Sequence, residues 1–236
     1  ELLERAEDKG KRFGYGIAPH AGYVYSGLAA ATLYKNIKRA KKVVILGVDH
    51  YGNAFDVALH PYEAWRTPLG EVPVSDDLKE ALLAVNPEIA ESPGEHSIEV
   101  QLPFLQVVLK DFEFLPVTVP QVPLSRLREL GEALRGVDAL IIATTDFSHY
   151  VPKDVATKLD AIAIDKIVSR DAEGLVRAFH EHRMSMCGVW PVTALLYSLP
   201  ENVRGELLIY YTSIVIILGF SSLLEVCLSL TFDIFR

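Results

Sequence analysis

At 236 residues, half of them hydrophobic and 23% charged, the chain has the ordinary balance of a globular protein with a sizeable core. A net charge of −8, from 31 acidic against 23 basic residues, excludes a general nucleic-acid binder, because no Lys/Arg stripe offsets phosphate repulsion. Its 2 cysteines, Cys187 and Cys227, exclude a disulfide framework.

Glu1–Asp8 reads as the exposed face of a helix rather than a signal peptide, so the cytoplasm is the expected compartment. The chain opens in mid-helix without an initiator Met, and further residues are expected before it. The apolar, β-prone run Tyr15–Ala18 then delivers His20 through Pro19. Ser26–Ile37, Ala-rich and opened by a serine, is expected as a helix. Lys35, Lys38, Arg39, Lys41 and Lys42 follow as a basic cluster, read as a solvated connection rather than a binding patch. Strands are expected over Lys42–Gly47 and Ala54–Leu59.

Asp76–Val85 has a helical pattern with Ser75 as N-cap. Ser97–Lys110 has another, with Pro103 in its first turns or at a kink. Glu113–Val119 and Asp138–Thr144 read as strands. Between them Ser125–Leu134 reads as a helix capped by Ser125, with Gly136 beyond its end. Helices are expected over Asp154–Ser169, Ala172–His182 and Gly188–Leu199.

From Thr212 to Phe232 the only charge is Glu225, and the run approaches the length of a bilayer span. Glu225, the Ser/Thr content and the lack of a flanking Lys/Arg cluster favour two buried strands instead. These are Leu207–Phe220 and Leu223–Thr231, broken at Gly219 and Ser221-Ser222. Alternating strands and helices, with no repeat and no linker, argue for one α/β domain over 1–236 with a largely parallel sheet.

In open α/β sheets the ligand crevice lies outside the carboxyl ends of the strands. His20, His50, and Asp146 with His149 each arrive as an apolar run ends, so they are expected to meet at one sheet edge. Imidazoles and a carboxylate gathered there suggest a metal or acid–base site. A single histidine in such a loop is more often structural; the recurrence of the design points to a site. Asp146 and His149 are expected to act on one turn, the carboxylate fixing a neighbouring imidazole's tautomer or raising its basicity.

In Gly94–Pro103, Ser97 is a candidate cap, and His96 near the positive end of the helix is expected to have a lowered pKa. A neutral His96 can exchange a hydrogen bond with substrate; a capping or packing role is its alternative. Cys187, before an apolar helix, is expected to tend toward thiolate, a nucleophile and soft metal ligand. Ser148 lacks the Gly-x-Ser-x-Gly elbow of a serine hydrolase. Cys227 is read as inert core, and His60, His180 and His182 as surface residues.

Together, Ala-Pro-His20-Ala-Gly-Tyr-x-Tyr-Ser-Gly, Leu-Gly-x-x-His50, Glu-His96-Ser-Ile-Glu-x-Gln-Leu-Pro-Phe, Asp146-Phe-Ser-His149-Tyr and Cys187-Gly strongly resemble the Memo family. The motifs fall in order between about residues 12 and 213. That family is similar in fold to the class III extradiol dioxygenases. The resemblance implies a three-layer α/β/α sandwich around a mixed, mostly parallel sheet. It also implies a metal site built by His20, His50 and Cys187, with Asp146 and His149 beside it and His96 lining the pocket. The implied metal is iron or copper, with zinc also compatible. In the dioxygenases the third iron ligand is a glutamate; here that role falls to a cysteine, so dioxygenase activity is not inherited with the fold. The family's animal members are linked to metal binding, redox chemistry and phosphotyrosine peptides, and nothing in this chain points to the peptide role specifically.

The chain departs from the family in lacking the N-terminal Gly-x-Phe-Tyr-Pro motif, in Tyr51 where a second histidine often follows the first, and in the apolar sequence Ile214–Arg236. The leading expectation is a non-haem, metal-dependent redox enzyme, with His149 as acid–base, Asp146 orienting it and His96 contacting substrate. The alternative is a non-catalytic protein that binds a metal or a peptide; a metal-dependent hydrolase is third. The expected occupant is a small-molecule substrate or peptide, with neither nucleic acid nor membrane as partner.

Overall fold

The computed structural model describes residues 1–89, 94–215 and 223–234, with side chains described through residue 212. An eight-stranded sheet forms the middle of the molecule. Its four central strands are β1 (Tyr15–Ala18), β2 (Lys42–Gly47), β7 (Glu113–Thr118) and β8 (Leu140–Thr144), in the order β7-β2-β8-β1 and all parallel. Covered on both faces, they are largely apolar, with Val/Ile/Leu runs in β2 and β8, and nearly every residue in them is buried.

Each edge joins the central strands through an antiparallel pair. On one side β3 (Ala58–Leu59) pairs with β7, and β6 (Glu88–Ile89) continues outward from it. On the other side β10 (Leu223–Ile234) inserts between β1 and β9 (Val203–Val215). The sheet is therefore mixed and mostly parallel, as expected. The described parts of the apolar C-terminal run lie in β9 and β10, paired antiparallel, and among the described residues no helix is long and apolar enough to cross a membrane. Gly219 and Ser221-Ser222, the expected break, lie outside the described residues.

Helices cover both faces. α2 (Tyr23–Lys35) packs on β1, β9 and β10, with α1 (Leu2–Arg5) and α5 (Leu102–Leu109) against it. On the other face α9 (Val189–Ser198) lies on β2 and β8, flanked by α6 (Leu124–Leu134) and α8 (Ala172–Glu181). α7 (Lys153–Val168) packs on α8 and β9, and α3 (Asp76–Leu82) on α6.

Several sequence expectations need correction. Ala54–Leu59 is a strand only at Ala58–Leu59. The amides of Asn53 and Ala54 donate to the Asp49 carboxylate, and those of Phe55 and Asp56 to Glu88, so side chains take the donors a ladder would use. The expected helix Ser97–Lys110 divides into α4 (His96–Glu99) and α5, with Pro103 in the first turn of α5, where a missing N–H costs nothing. Ser75 does cap α3, accepting from the Leu78 amide. Ser125 does not cap α6, which begins at Leu124 after Pro123.

His60 is not a surface residue. It is buried, its Nε2 lies 2.9 Å from Thr118 Oγ1, and its ring meets Trp65 edge-on. Trp65 belongs to a hairpin with no counterpart in the sequence expectations, β4 (Ala64–Thr67) with β5 (Gly70–Pro73). His180 and His182 are exposed as expected. Cys227 stands in β10 opposite Tyr211, and its side chain lies outside the described ones.

Candidate metal centre

β2, β8 and β1 are neighbours and run parallel, so the loops that leave them emerge at one edge. His20 follows β1, His50 follows β2, and Asp146 and His149 follow β8. Cys187 joins them from the start of α9. It is held at the end of β8 from both sides: its amide donates to the Asp146 carbonyl at 3.3 Å, and its sulfur accepts the Asp146 amide at 3.2 Å. Gly188 permits this approach, since a Cβ there would stand 2.2 Å from the Thr144 carbonyl oxygen. Gly47, which ends β2, does the same for α4, where a Cβ would meet Ile98 at 2.4 Å.

The donor atoms converge. His20 Nε2 lies 3.2 Å from Cys187 Sγ and 3.7 Å from Asp146 Oδ2. The His20 and His50 rings are 5.1 Å apart, and those of His50 and His96 4.2 Å. One ligand atom each from His20, His50 and Cys187 all fall within 4.8 Å of one another. The same separation describes two further groups, His50 with Glu95 and His96, and Asp146 with His149 and Cys187. All six residues expected at the site are thus brought together.

Glu95 was not anticipated, and it organises one half of the site. Its buried carboxylate accepts from His50 Nδ1 at 2.7 Å, from the His50 amide at 3.0 Å and from the Ser97 amide at 3.0 Å. Glu95, not Ser97, is therefore the N-cap of α4; the Ser97 hydroxyl instead accepts the Val48 amide. Burial acts to raise the Glu95 carboxyl, and the bonds from His50 and Ser97 outweigh it, leaving it below the ordinary carboxylate range. Its position just before His96 was visible in the sequence, but nothing local places it under His50.

His149 is oriented by Ser185 rather than by Asp146. Its Nδ1 donates to the Ser185 carbonyl at 2.8 Å, and its amide donates to Ser185 Oγ at 2.7 Å. Asp146 instead accepts the His20 amide at 3.0 Å. The loop between them is anchored from below, where buried Asp160 on α7 accepts both the amide and the hydroxyl of Ser148 and the hydroxyl of Tyr210.

Burial sets the charge states. It holds the His20 imidazole well below its ordinary value, and the His50 and His96 rings push the same way. His96 is lowered as expected, though chiefly by burial and then by His50 rather than by the helix end. Burial raises the Asp146 carboxyl against the pull of the His20 amide and the His149 ring. The Cys187 thiol is pushed up by burial and then by the Asp146 carboxylate, so the expected drift toward thiolate at a helix start is reversed. A dication among these donors inverts that sign, because a coordinating thiol is deprotonated outright.

The donor set fits a metal ion. Two imidazoles and a sulfur suit iron, copper or zinc. The Glu95 carboxylate on His50 Nδ1 leaves Nε2 as the free lone pair, the usual arrangement behind a ligating histidine. A cavity of about 440 Å³ opens beside Cys187, walled in part by Asp49, Phe55, Gln121 and Trp190.

A doubly covered α/β sheet with a cluster of metal-capable side chains at its parallel strand ends defines the general class of this protein. Within that class the chain belongs to the Memo-like protein family, whose model matches residues 3–222, beyond the motifs at both ends. A MEMO1 family protein of Methanopyrus kandleri is 40% identical over 213 residues, covering 84% of this chain and 75% of the relative. One from Pyrobaculum aerophilum is 39% identical over 199 residues, covering 79% and 71%. An uncharacterized protein of Escherichia coli K12 shares the fold, with a TM-score of 0.58 at 15% identity over 90% of this chain and 98% of that one.

Proposed function

We propose that this protein is a non-haem, metal-dependent redox enzyme whose ion is held by His20, His50 and Cys187. The observation that supports it is the convergence of those donors, from three separate segments, within 4.8 Å. An iron or copper ion bound there supplies redox chemistry and Lewis acidity. The chain's own residues do the rest. His149, fixed through Nδ1, presents Nε2 to accept or return a substrate proton. Neutral His96 offers a hydrogen bond to the substrate, and Asp146 positions the His20 backbone. The Tyr51 hydroxyl lies 3.2 Å from His96 Nδ1 and helps to position that ring.

Metal analysis of protein purified without chelator tests the ligand set. The wild type is expected to carry one ion per chain, and Cys187→Ala and His50→Ala to lose it. Unchanged metal content in both variants removes the assignment. Oxygen uptake with a catechol panel under Fe(II) tests the redox reading. A second reading, a binding role, is favoured by exposed aromatic residues beside the site: Phe55 at 91% exposure, Tyr150 at 71% and Tyr51 at 58%. Metal retention with silence across the panel selects that reading.

A further inference from the structure

The cavity beside Cys187 does not stand alone. A second cavity, of about 310 Å³, lies on the far side of Gln121 and Trp190, which line both. In the first the walls are chiefly Ala54, Phe55, Val119, Pro120 and Trp190. In the second they are chiefly Pro123, Leu124, Leu127 and Val176, with His180 at the rim. Trp190 stands between them at the start of α9, braced edge-on against Phe179 at 5.2 Å.

The size and walls of the two cavities narrow the occupant. Among the described residues, neither cavity is lined by a lysine or arginine. The acid in the first cavity is Asp49, whose carboxylate accepts the Asn53 and Ala54 amides and so holds the loop behind His50. A cavity of this size holds only a small molecule, and the second volume past Trp190 has apolar walls suited to an alkyl or aryl chain.

We infer that the substrate of this site is an elongated molecule, with a head beside Cys187 and an apolar arm past Trp190 and Gln121. The inference rests on the metal centre being the reaction site. The shared pair, Trp190 and Gln121, then selects for arm length, because a ligand short of it fills the first cavity alone.

The test uses the full-length, metal-replete chain and linear 1-alkanols from butanol to decanol, followed by ligand-observed NMR. Affinity is expected to rise about fourfold per added methylene, then level off once the second cavity is full. Val176→Phe, which fills the second cavity, is expected to weaken octanol and leave butanol unchanged. Leu124→Phe, from a different helix, provides the same readout if the first variant does not fold. A series that does not depend on chain length, or an unchanged octanol-to-butanol ratio in the folded variants, overturns the inference. Metal content is measured on the same samples. A wild type without metal overturns the metal centre, whereas a flat alkanol series on metal-replete protein overturns the elongated substrate alone.

Discussion

The two ends of the same parallel strands differ in kind. At the amino ends, Lys41 pairs with Asp111, and Lys42 with Asp77 and Glu113, all at the surface. At the carboxyl ends, His20, Glu95 and Asp146 are each less than 5% exposed and hydrogen-bonded to neighbouring segments. Residues of like chemistry occur at both edges, so residue type does not distinguish them. Desolvation does. Exposed pairs are screened and contribute little, whereas the buried groups shift one another's protonation and leave ligand atoms pointing into one space.

The largest effect that would sharpen this contrast is at Gly188. Gly188→Ala drives a methyl into the Thr144 carbonyl and is expected to cost about 3 kcal/mol in urea denaturation, and to displace Cys187 with it. A variant as stable as the wild type would show that the close contact between α9 and β8 is not what holds the thiol in place.

Glu95→Gln comes next. It keeps the shape but weakens the hold on His50 Nδ1, and metal affinity is expected to fall roughly tenfold to a hundredfold by competition with a chelator. Affinity unchanged within twofold would remove Glu95 from the centre.

Acid titration of the metal-free protein gives a smaller effect with a defined sign. His20 and His96 are held below their ordinary value of 6.5, so below that pH the unfolded chain takes up protons the folded one refuses. Stability from these groups is therefore present above about 6.5 and declines as the pH falls. Glu95, lowered from 4.5, adds a loss in the same direction as the pH falls through 4.5. Asp146, raised from 3.8, has the opposite slope above that pH. The urea midpoint is expected to drop between pH 7 and 5.5, and a rise there would contradict neutral buried imidazoles. At the opposite edge, Lys41→Ala is expected to leave the midpoint where it is, because that pair is solvated; a clear loss would erase the contrast.

Much of this was legible in the chain. Lys42–Gly47 was bounded correctly because a Val/Ile/Leu run ends in a glycine that α4 requires. The helices Ala172–Glu181 and Val189–Ser198 began and ended within a residue of expectation, since their apolar faces are local patterns. The β4–β5 hairpin and the buried His60 were not legible. The hairpin's strands are short and largely exposed, and His60 is polar by type but sealed by Trp65 and Thr118 from other segments.

The sequence by itself determined which loops carry imidazole, thiol and carboxylate, because strand and helix periods and the residues that end them are local properties. Only the tertiary structure decided that Glu95 backs His50, that Ser185 rather than Asp146 orients His149, and that the Cys187 thiol is raised rather than lowered. Those outcomes depend on strand order, which sets what lies beside each group, and on burial, which sets the sign of every charge interaction there.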